Sequence, residues 1–230
     1  MAAGVAALLC PPALTADAAP NATSLYQEAM ATTKGWNVHY VSTSDISQVP
    51  FVESGDAGPA SGTQSILIGK GATLDSASLI VIGDLTYVKG NERAMEDLTG
   101  LPSTQAATAM GRWVLFSSNN PTFAQVVVGV RSQDVAQEVA LKGPFTFGPS
   151  RTLHGLRVEA LRGTELQGTK KMRAVLYVRA SGRHVLVEED TVTALGKSNG
   201  AEHIVFSKWG EPVKPKAPHA SITLGTINAT

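Results

Sequence analysis

The chain has 230 residues, of which 19 are Lys or Arg and 19 are Asp or Glu, so its formal net charge is zero. That balance argues against a nucleic-acid-binding surface, which normally needs a basic excess. A single cysteine, Cys10, excludes an intramolecular disulfide framework and a zinc site built from several thiolates. The hydrophobic content of 43% is sufficient for one domain with a sizeable core.

Residues 1–18 resemble a secretory signal peptide. The apolar stretch at residues 2–9 is too short to span a bilayer, and Ala16-Asp17-Ala18 offers small residues for a signal peptidase. Cys10 follows Leu9, whereas an acylated lipoprotein cysteine follows a small residue, so lipidation of Cys10 is disfavoured. We expect a leader over 1–18, one domain over 19–230, and export to the cell envelope. An alanine-rich tail without a targeting role is the alternative.

The first half of the mature chain predicts one helix followed by strands. Thr23 or Ser24 can cap a helix that runs to about Ala31. Alternating apolar residues predict strands at Trp36–Ser42, Gln64–Gly69, Ser78–Ile82 and Leu85–Lys89, with a turn at Gly83-Asp84 between the last two. The segment Ser47–Gly62 is rich in Gly, Pro, Ser and Asp and is expected to be a loop.

Helices are predicted in the middle of the chain and strands after it. In the middle we predict a helix at Glu92–Leu98 capped by Asn91 and a second short helix at Ser103–Ala109. A strand at Arg112–Phe116 and one long helix at Phe123–Ala140 follow. The later strands are Pro144–Phe147, Thr152–Arg162, Met172–Ala180, His184–Glu188 and His203–Ser207. The tail Pro212–Ile227 is expected to run extended along a sheet edge.

This order of elements predicts an α+β fold with a strongly curved antiparallel sheet, a half-open barrel whose concave face is covered by helices. On Met172–Ala180 the alternation places Ala174, Leu176 and Val178 inward. A curled sheet under helices leaves space for an apolar cleft between the two layers.

Catalytic motifs are absent from the sequence. It contains no Gly-x-Ser-x-Gly elbow, no phosphate-binding loop and no His-Glu-x-x-His pair, and its five histidines are scattered. The run Glu188-Glu189-Asp190 could hold calcium or act in acid–base chemistry, but such runs are usually solvated strand ends. We therefore predict no enzyme activity, no cofactor and no metal site.

Several short motifs resemble the LolA/LppX-like exported proteins of actinobacteria. They are Tyr87–Asn91, Gly111–Val114, Leu176–Val178, Gly182–His184 and Phe206–Val213, in the order seen in that family. The resemblance implies a half-open barrel that binds acyl chains of lipids or lipoproteins and carries them at the cell envelope. The expected partners are lipid acyl chains or an acylated lipoprotein, with peripheral membrane contact and a monomeric state.

Strand parity predicts which residues would line such a cavity. They are Ile66, Ile68, Leu79, Val81, Trp113, Leu115, Leu176 and Val178. The same pattern also fits a filled core without a cavity. The competing functions are a ligand-free structural or signalling module, which would expose an apolar patch on the outer face of the sheet, and a hydrolase, which would bring His184 or His203 to a carboxylate and a nucleophile.

Overall fold

The computed structural model describes residues 21–46, 49–127, 129–167, 170–193 and 201–228. The predicted leader and Cys10 lie outside the described residues. None of the helices in the described part of the chain has the length and apolar character of a membrane span.

Within those residues, thirteen strands form one sheet against one layer of helices. The helices are α1 (Ala22–Gly35), α2 (Glu92–Thr99), α3 (Ser103–Ala109), α4 (Phe123–Val126), α5 (Ser132–Glu138) and α6 (Leu224–Asn228). The strands are β1 (Val38–Ile46), β2 (Val49–Ala57), β3 (Ser61–Ile68), β4 (Asp75–Ile82), β5 (Leu85–Gly90), β6 (Val114–Ser117), β7 (Lys142–Phe147), β8 (Arg151–Leu153), β9 (Leu156–Gln167), β10 (Lys170–Arg179), β11 (Leu186–Thr193), β12 (Glu202–Ser207) and β13 (Ile222–Thr223).

The sheet is curved and antiparallel apart from one edge. Its order is β13-β6-β5-β4-β3-β2-β1-β12-β11-β10-β9-β7, and β8 pairs with β9. Only β13, beside β6, is parallel to its neighbour among the described strand pairs. The predicted fold class, a strongly curved sheet with helices on its concave face, is confirmed.

Local sequence explains where several elements begin. The Asn91 side chain accepts a hydrogen bond from Ala94 N at 3.1 Å, as predicted for the cap of α2. Helix α1 is capped by Asn21, whose side chain accepts from Ser24 N at 2.9 Å, so the prediction of Thr23 or Ser24 was wrong. Gly83 has φ +56° in the β4–β5 turn, a conformation that favours glycine.

Besides shifts at the ends of strands, four predicted segments differ from the structure in the type or continuity of their elements. Most of Ser47–Gly62 is strand rather than loop, because β2 pairs along its length with both β1 and β3. The helix predicted at Phe123–Ala140 is two short helices, because Gly129 between them has φ +77°. The strand predicted at Thr152–Arg162 is split by a turn at His154 and Gly155. The tail does run along the sheet edge as β13 but ends in α6.

Two apolar clusters lie between the sheet and the helices. The first cluster packs α1 and α5 on β1 and β9–β12, and contains Ala174, Leu176 and Val178 as predicted. The second cluster packs α2, α3, α4 and α6 on β3–β6. A third, smaller cluster covers Val158, Ala160, Tyr177 and Val187 on the opposite, convex face.

The segment between α4 and α5 crosses the sheet in very close contact with β3. A Cβ added at Gly62 would lie 2.0 Å from the carbonyl oxygen of Val130. Ser132 N donates to the Gly58 carbonyl at 3.1 Å, beside this approach. Glycine at position 62 therefore allows the chain to cross there.

We predict that Gly62→Ala lowers the free energy of unfolding by about 3 kcal/mol, since a backbone atom must move to admit the methyl group. Gly35→Ala is the matched control, because a Cβ at Gly35 meets nothing within 4 Å. Urea unfolding of both variants measures the difference. Equal stability of the two would contradict the close crossing.

Candidate functional site

The eight residues predicted to line a cavity are not brought together in one place. Leu176 and Val178 are fully buried in the first cluster. Ile66, Leu79 and Val81 are buried in the second cluster, and Ile68 packs partly buried against it. That these six residues line a cavity stays a prediction.

Trp113 and Leu115 were assigned to the wrong face. Val114 and Phe116 are the buried members of the second cluster, and Val114 lies directly opposite Val88. Side chains alternate along a strand, so Leu115 faces the convex side and is half-buried, as is Trp113. The run from Trp113 to Phe116 is apolar throughout, so the sequence pattern could not fix its phase.

A groove of about 790 Å³ opens at one end of the sheet, where β9, β11 and β12 approach Trp36. We call it the end groove. Val187 and Val205, on the convex side of the strands, form its apolar wall. Leu186 and Phe206 of the first cluster border the groove but are almost completely buried. The volume lies within the range of small-molecule sites.

Aromatic and cationic side chains form the rim of the end groove. The Arg183 guanidinium carbon lies 3.6 Å from the ring centroid of Trp36, a cation–π contact. Trp209 Nε1 donates to the Leu186 carbonyl at 2.8 Å, which fixes the indole over the groove. Arg179 and Lys208 complete the cationic part of the rim. The rim can therefore contact an anionic or polar group while the wall contacts an apolar chain.

Carboxylates line the concave face away from the end groove, and we call this set the acidic band. On the sheet, register pairs Glu53 with Ser42, Glu189 with Leu176 and Glu202 with Ser44, which places these side chains on the concave side. The acidic band is Glu53, Glu165, Glu189 and Glu202 from the sheet and Glu138 from α5.

A buried hydrogen-bond network surrounds Glu53. The Tyr40 hydroxyl oxygen lies 2.9 Å from both Glu53 Oε1 and the Gly129 carbonyl oxygen, and it accepts from Gln64 Nε2. The single Tyr40 hydroxyl proton cannot be donated to both oxygens. If the Glu53 carboxyl carries a proton, it can donate to the Tyr40 hydroxyl while Tyr40 donates to the Gly129 carbonyl. Burial raises the pKa of Glu53, in agreement with a neutral acid.

Burial also raises the pKa of three further members of the acidic band, Glu138, Glu189 and Glu165. Burial, followed by repulsion from neighbouring carboxylates, raises the pKa of Glu138 to about 8. The same causes raise the pKa of Glu189 well above its ordinary value, and burial chiefly raises the pKa of Glu165. Glu138 is nonetheless exposed to water.

The sequence interpretation of Glu188-Glu189-Asp190 as a solvated strand end was wrong. Glu189 is 1% exposed and Glu188 is 9% exposed. A β-bulge between β10 and β11 pairs Val178 with Leu186 but Tyr177 with Glu188, so the alternation changes phase at Val187. That bulge turns Glu189 to the concave face, and strict alternation from Leu186 would have placed it outside.

Histidines meet carboxylates on the sheet surface and at its edges. His203 Nδ1 lies 2.8 Å from Asp190 Oδ1, and His184 Nε2 lies 3.6 Å from Glu28 Oε2. The described hydrogen bonds of these imidazoles include no serine, threonine or cysteine side chain that could act as a nucleophile. Among the described residues, no group of His, Cys, Asp and Glu is arranged to hold a metal ion.

No protein-family model matches the chain, and no curated protein sequence matches it. Solved structures do resemble it. The crystal structure of LprF from Mycobacterium bovis has 18% sequence identity and a TM-score of 0.54, over 86% of this chain and 96% of that chain. This likeness shows that the two proteins share a fold.

Two further structures are similar at lower scores. An uncharacterized conserved protein from Thermus thermophilus has 9% identity and a TM-score of 0.45, over 88% of this chain and 98% of that chain. A putative outer membrane lipoprotein-sorting protein domain from Vibrio parahaemolyticus has 9% identity and a TM-score of 0.29, over 91% and 98% of the two chains. Neither superposition is close enough to support a functional conclusion.

We predict that the folded protein loses stability as pH rises from about 5 to 8.5. The pKa of Glu138 is about 8 in the fold against 4.5 ordinarily, so the folded state binds more protons than the unfolded state within this window. Allowing for solvent contact, we expect a loss of about 1–2 kcal/mol from this group.

Urea unfolding across this pH range measures the effect. Glu138→Gln should reduce the pH dependence of stability, whereas Glu211→Gln, on the exposed tail, should leave it unchanged. A Glu138→Gln protein with the same pH dependence as the parent would contradict the neutral state of Glu138.

Proposed function

We propose that the protein is an extracytoplasmic carrier of the LolA/LppX type, which binds acyl chains of a lipid or of an acylated lipoprotein. The observation that supports this most is the end groove, because it is open to solvent, has Val187 and Val205 on its apolar wall, and borders the buried Leu186 and Phe206 of the concave core. The fold shared with LprF is consistent with the proposal.

The energetics of such a site depend on apolar burial. Each methylene removed from water contributes about 0.8 kcal/mol, so a chain of some ten carbons gains enough to remain bound. In our proposal the chain enters along Val205. A longer chain continues past Leu186 and over Val178, between the sheet and α1, by displacing side chains that fill this space.

The rim of the end groove suits the polar end of an amphiphile. Arg179, Arg183 and Lys208 can contact a phosphate or carboxylate, and Trp36 and Trp209 are side chains typical of the membrane–water boundary. We propose that the headgroup stays at this rim and that the same rim contacts the membrane during loading. The proposed carrier works as a monomer, without a cofactor and without a catalytic step.

Export is part of the same proposal. The leader-like sequence over 1–18 supports export, and a carrier of acyl chains at the cell envelope must be exported. We propose that Cys10 is removed with the leader.

A ligand-free envelope module is the second candidate. It is favoured by Val52 and Leu67, which lie opposite each other on the convex face and are 37% and 39% exposed. One such pair is smaller than a typical protein-binding patch, so the carrier remains the better proposal.

Native mass spectrometry of the mature protein, purified without detergent, tests the carrier. We expect an acyl species bound at one copy per chain, identified by lipid extraction. Val205→Trp should fill the end groove and reduce binding of a fluorescent fatty acid by about tenfold. Val41→Trp is the matched control, because Val41 pairs with Val205 and is equally half-buried, but does not line the groove.

The outcomes separate the two candidates. No co-purified lipid and no uptake of added fatty acid would favour the ligand-free module. Equal fatty-acid binding by the two tryptophan variants would place the acyl site elsewhere than the end groove.

A further inference from the structure

The acidic band reaches solvent through a second opening. A cleft of about 490 Å³ lies where β1, β11 and β12 meet, at the end of the sheet away from the end groove. Its lining includes Ser44, Thr191 and Glu202 from the concave face, together with Asp45 and Asp190. Glu202 is the member of the acidic band on the cleft wall, so the cleft gives solvent access to this end of the band. Asp45 lies on the same wall, beside the Asp190–His203 pair.

Hydrogen bonds within the protein satisfy only part of the acidic band. Ser42 Oγ donates to Glu202 Oε1 at 2.6 Å, and Thr191 Oγ1 donates to Glu165 Oε2 at 3.0 Å. Glu189 is 1% exposed, yet its Oε1 atom has no hydrogen-bond partner. Ser44 Oγ, on the cleft wall, is also buried without a partner. Burying a polar atom without a hydrogen-bond partner costs free energy of folding. These two oxygen atoms are therefore candidates for hydrogen bonds to a bound ligand.

Among the described residues, the charged groups that act most strongly on Glu138 and Glu189 are carboxylates. Arg131 lies beside Asp134, and His203 is paired with Asp190. Glu138 faces Glu53, Glu165, Glu202 and Asp134. Glu189 is repelled by four carboxylates, which are those of Glu165, Glu202, Glu138 and Asp190. Its own charge contributes to the raised pKa of Tyr26 on α1. No described Lys or Arg opposes Glu138 or Glu189 in these sets. A positive ligand would remove the repulsion between these carboxylates.

We propose that the acidic band binds an organic cation with more than one ammonium group, which enters through the cleft beside Glu202. The described carboxylates are not grouped closely enough to hold one metal ion, whereas an extended polyamine can contact carboxylates on several strands. Its ammonium groups would supply the donors that Glu189 Oε1 and Ser44 Oγ lack. Binding would ionise the neutral acids and release protons.

Calorimetry with spermidine as the probe tests this site on the full mature protein at pH 7.5. We expect saturable binding of one spermidine, with proton release detected as a difference between buffers of unequal ionisation enthalpy. Octane-1,8-diol, which is uncharged and of similar length, should not bind. Calcium should bind at least tenfold more weakly than spermidine.

Variants assign the binding to these residues. Glu189→Gln should weaken spermidine binding about tenfold or more, since a buried charged partner is lost. Glu202→Gln, at the more accessible cleft wall, provides a second test that does not alter the buried core. Glu211→Gln on the exposed tail is the control. Val205→Trp, in the end groove, should leave spermidine binding unchanged, so this site is tested independently of the acyl site.

Unchanged binding in both Glu189→Gln and Glu202→Gln would overturn the proposal. Calcium binding as tight as spermidine binding would also overturn it, in favour of a metal site. A chain that binds fatty acid but no spermidine would leave the carrier intact and remove the polyamine site.

Discussion

The hydrogen bonds around the Tyr40 hydroxyl hold the architecture together. They join β1, β2 and β3 at the middle of the sheet to the Gly129 carbonyl in the segment that crosses from α4 to α5. That crossing divides the concave core into one cluster under α1 and α5 and another under α2, α3, α4 and α6. Bringing this segment onto the sheet produces the close approach at Gly62, and the burial of Glu53 beneath it raises the pKa of that carboxyl.

The two ends of the curved sheet have opposite chemical character. The end groove has an apolar wall and a rim of Arg179, Arg183 and Lys208 beside two tryptophans. The cleft at the other end is lined by hydroxyls and by Asp45, Asp190 and Glu202. Although the net charge is zero, cationic side chains lie at one end of the sheet and carboxylates lie at the other. This separation allows an acyl chain with a polar head and an organic cation to bind at different sites.

Sequence patterns predicted the fold class because alternation is strong where one face is buried, as at Ala174, Leu176 and Val178. They did not locate the acidic band, because the bulge at Val187 reverses the alternation and hides the inward direction of Glu189. The long helix predicted from Phe123 ends early because the positive φ of Gly129 is set by contact with the sheet, which no local pattern contains. A lined cavity and a filled core share one pattern, so the end groove could not be predicted.

The most direct test of the account is a crystal structure of the mature protein with a fatty acid that carries bromine at its terminal carbon. Anomalous scattering from bromine locates the chain end without any prior assumption about where the ligand lies. The account predicts a single bromine peak beyond Leu186 and Phe206, between the concave face of the sheet and α1. A peak away from both the end groove and the concave face, or no peak at saturating fatty acid, would contradict the carrier.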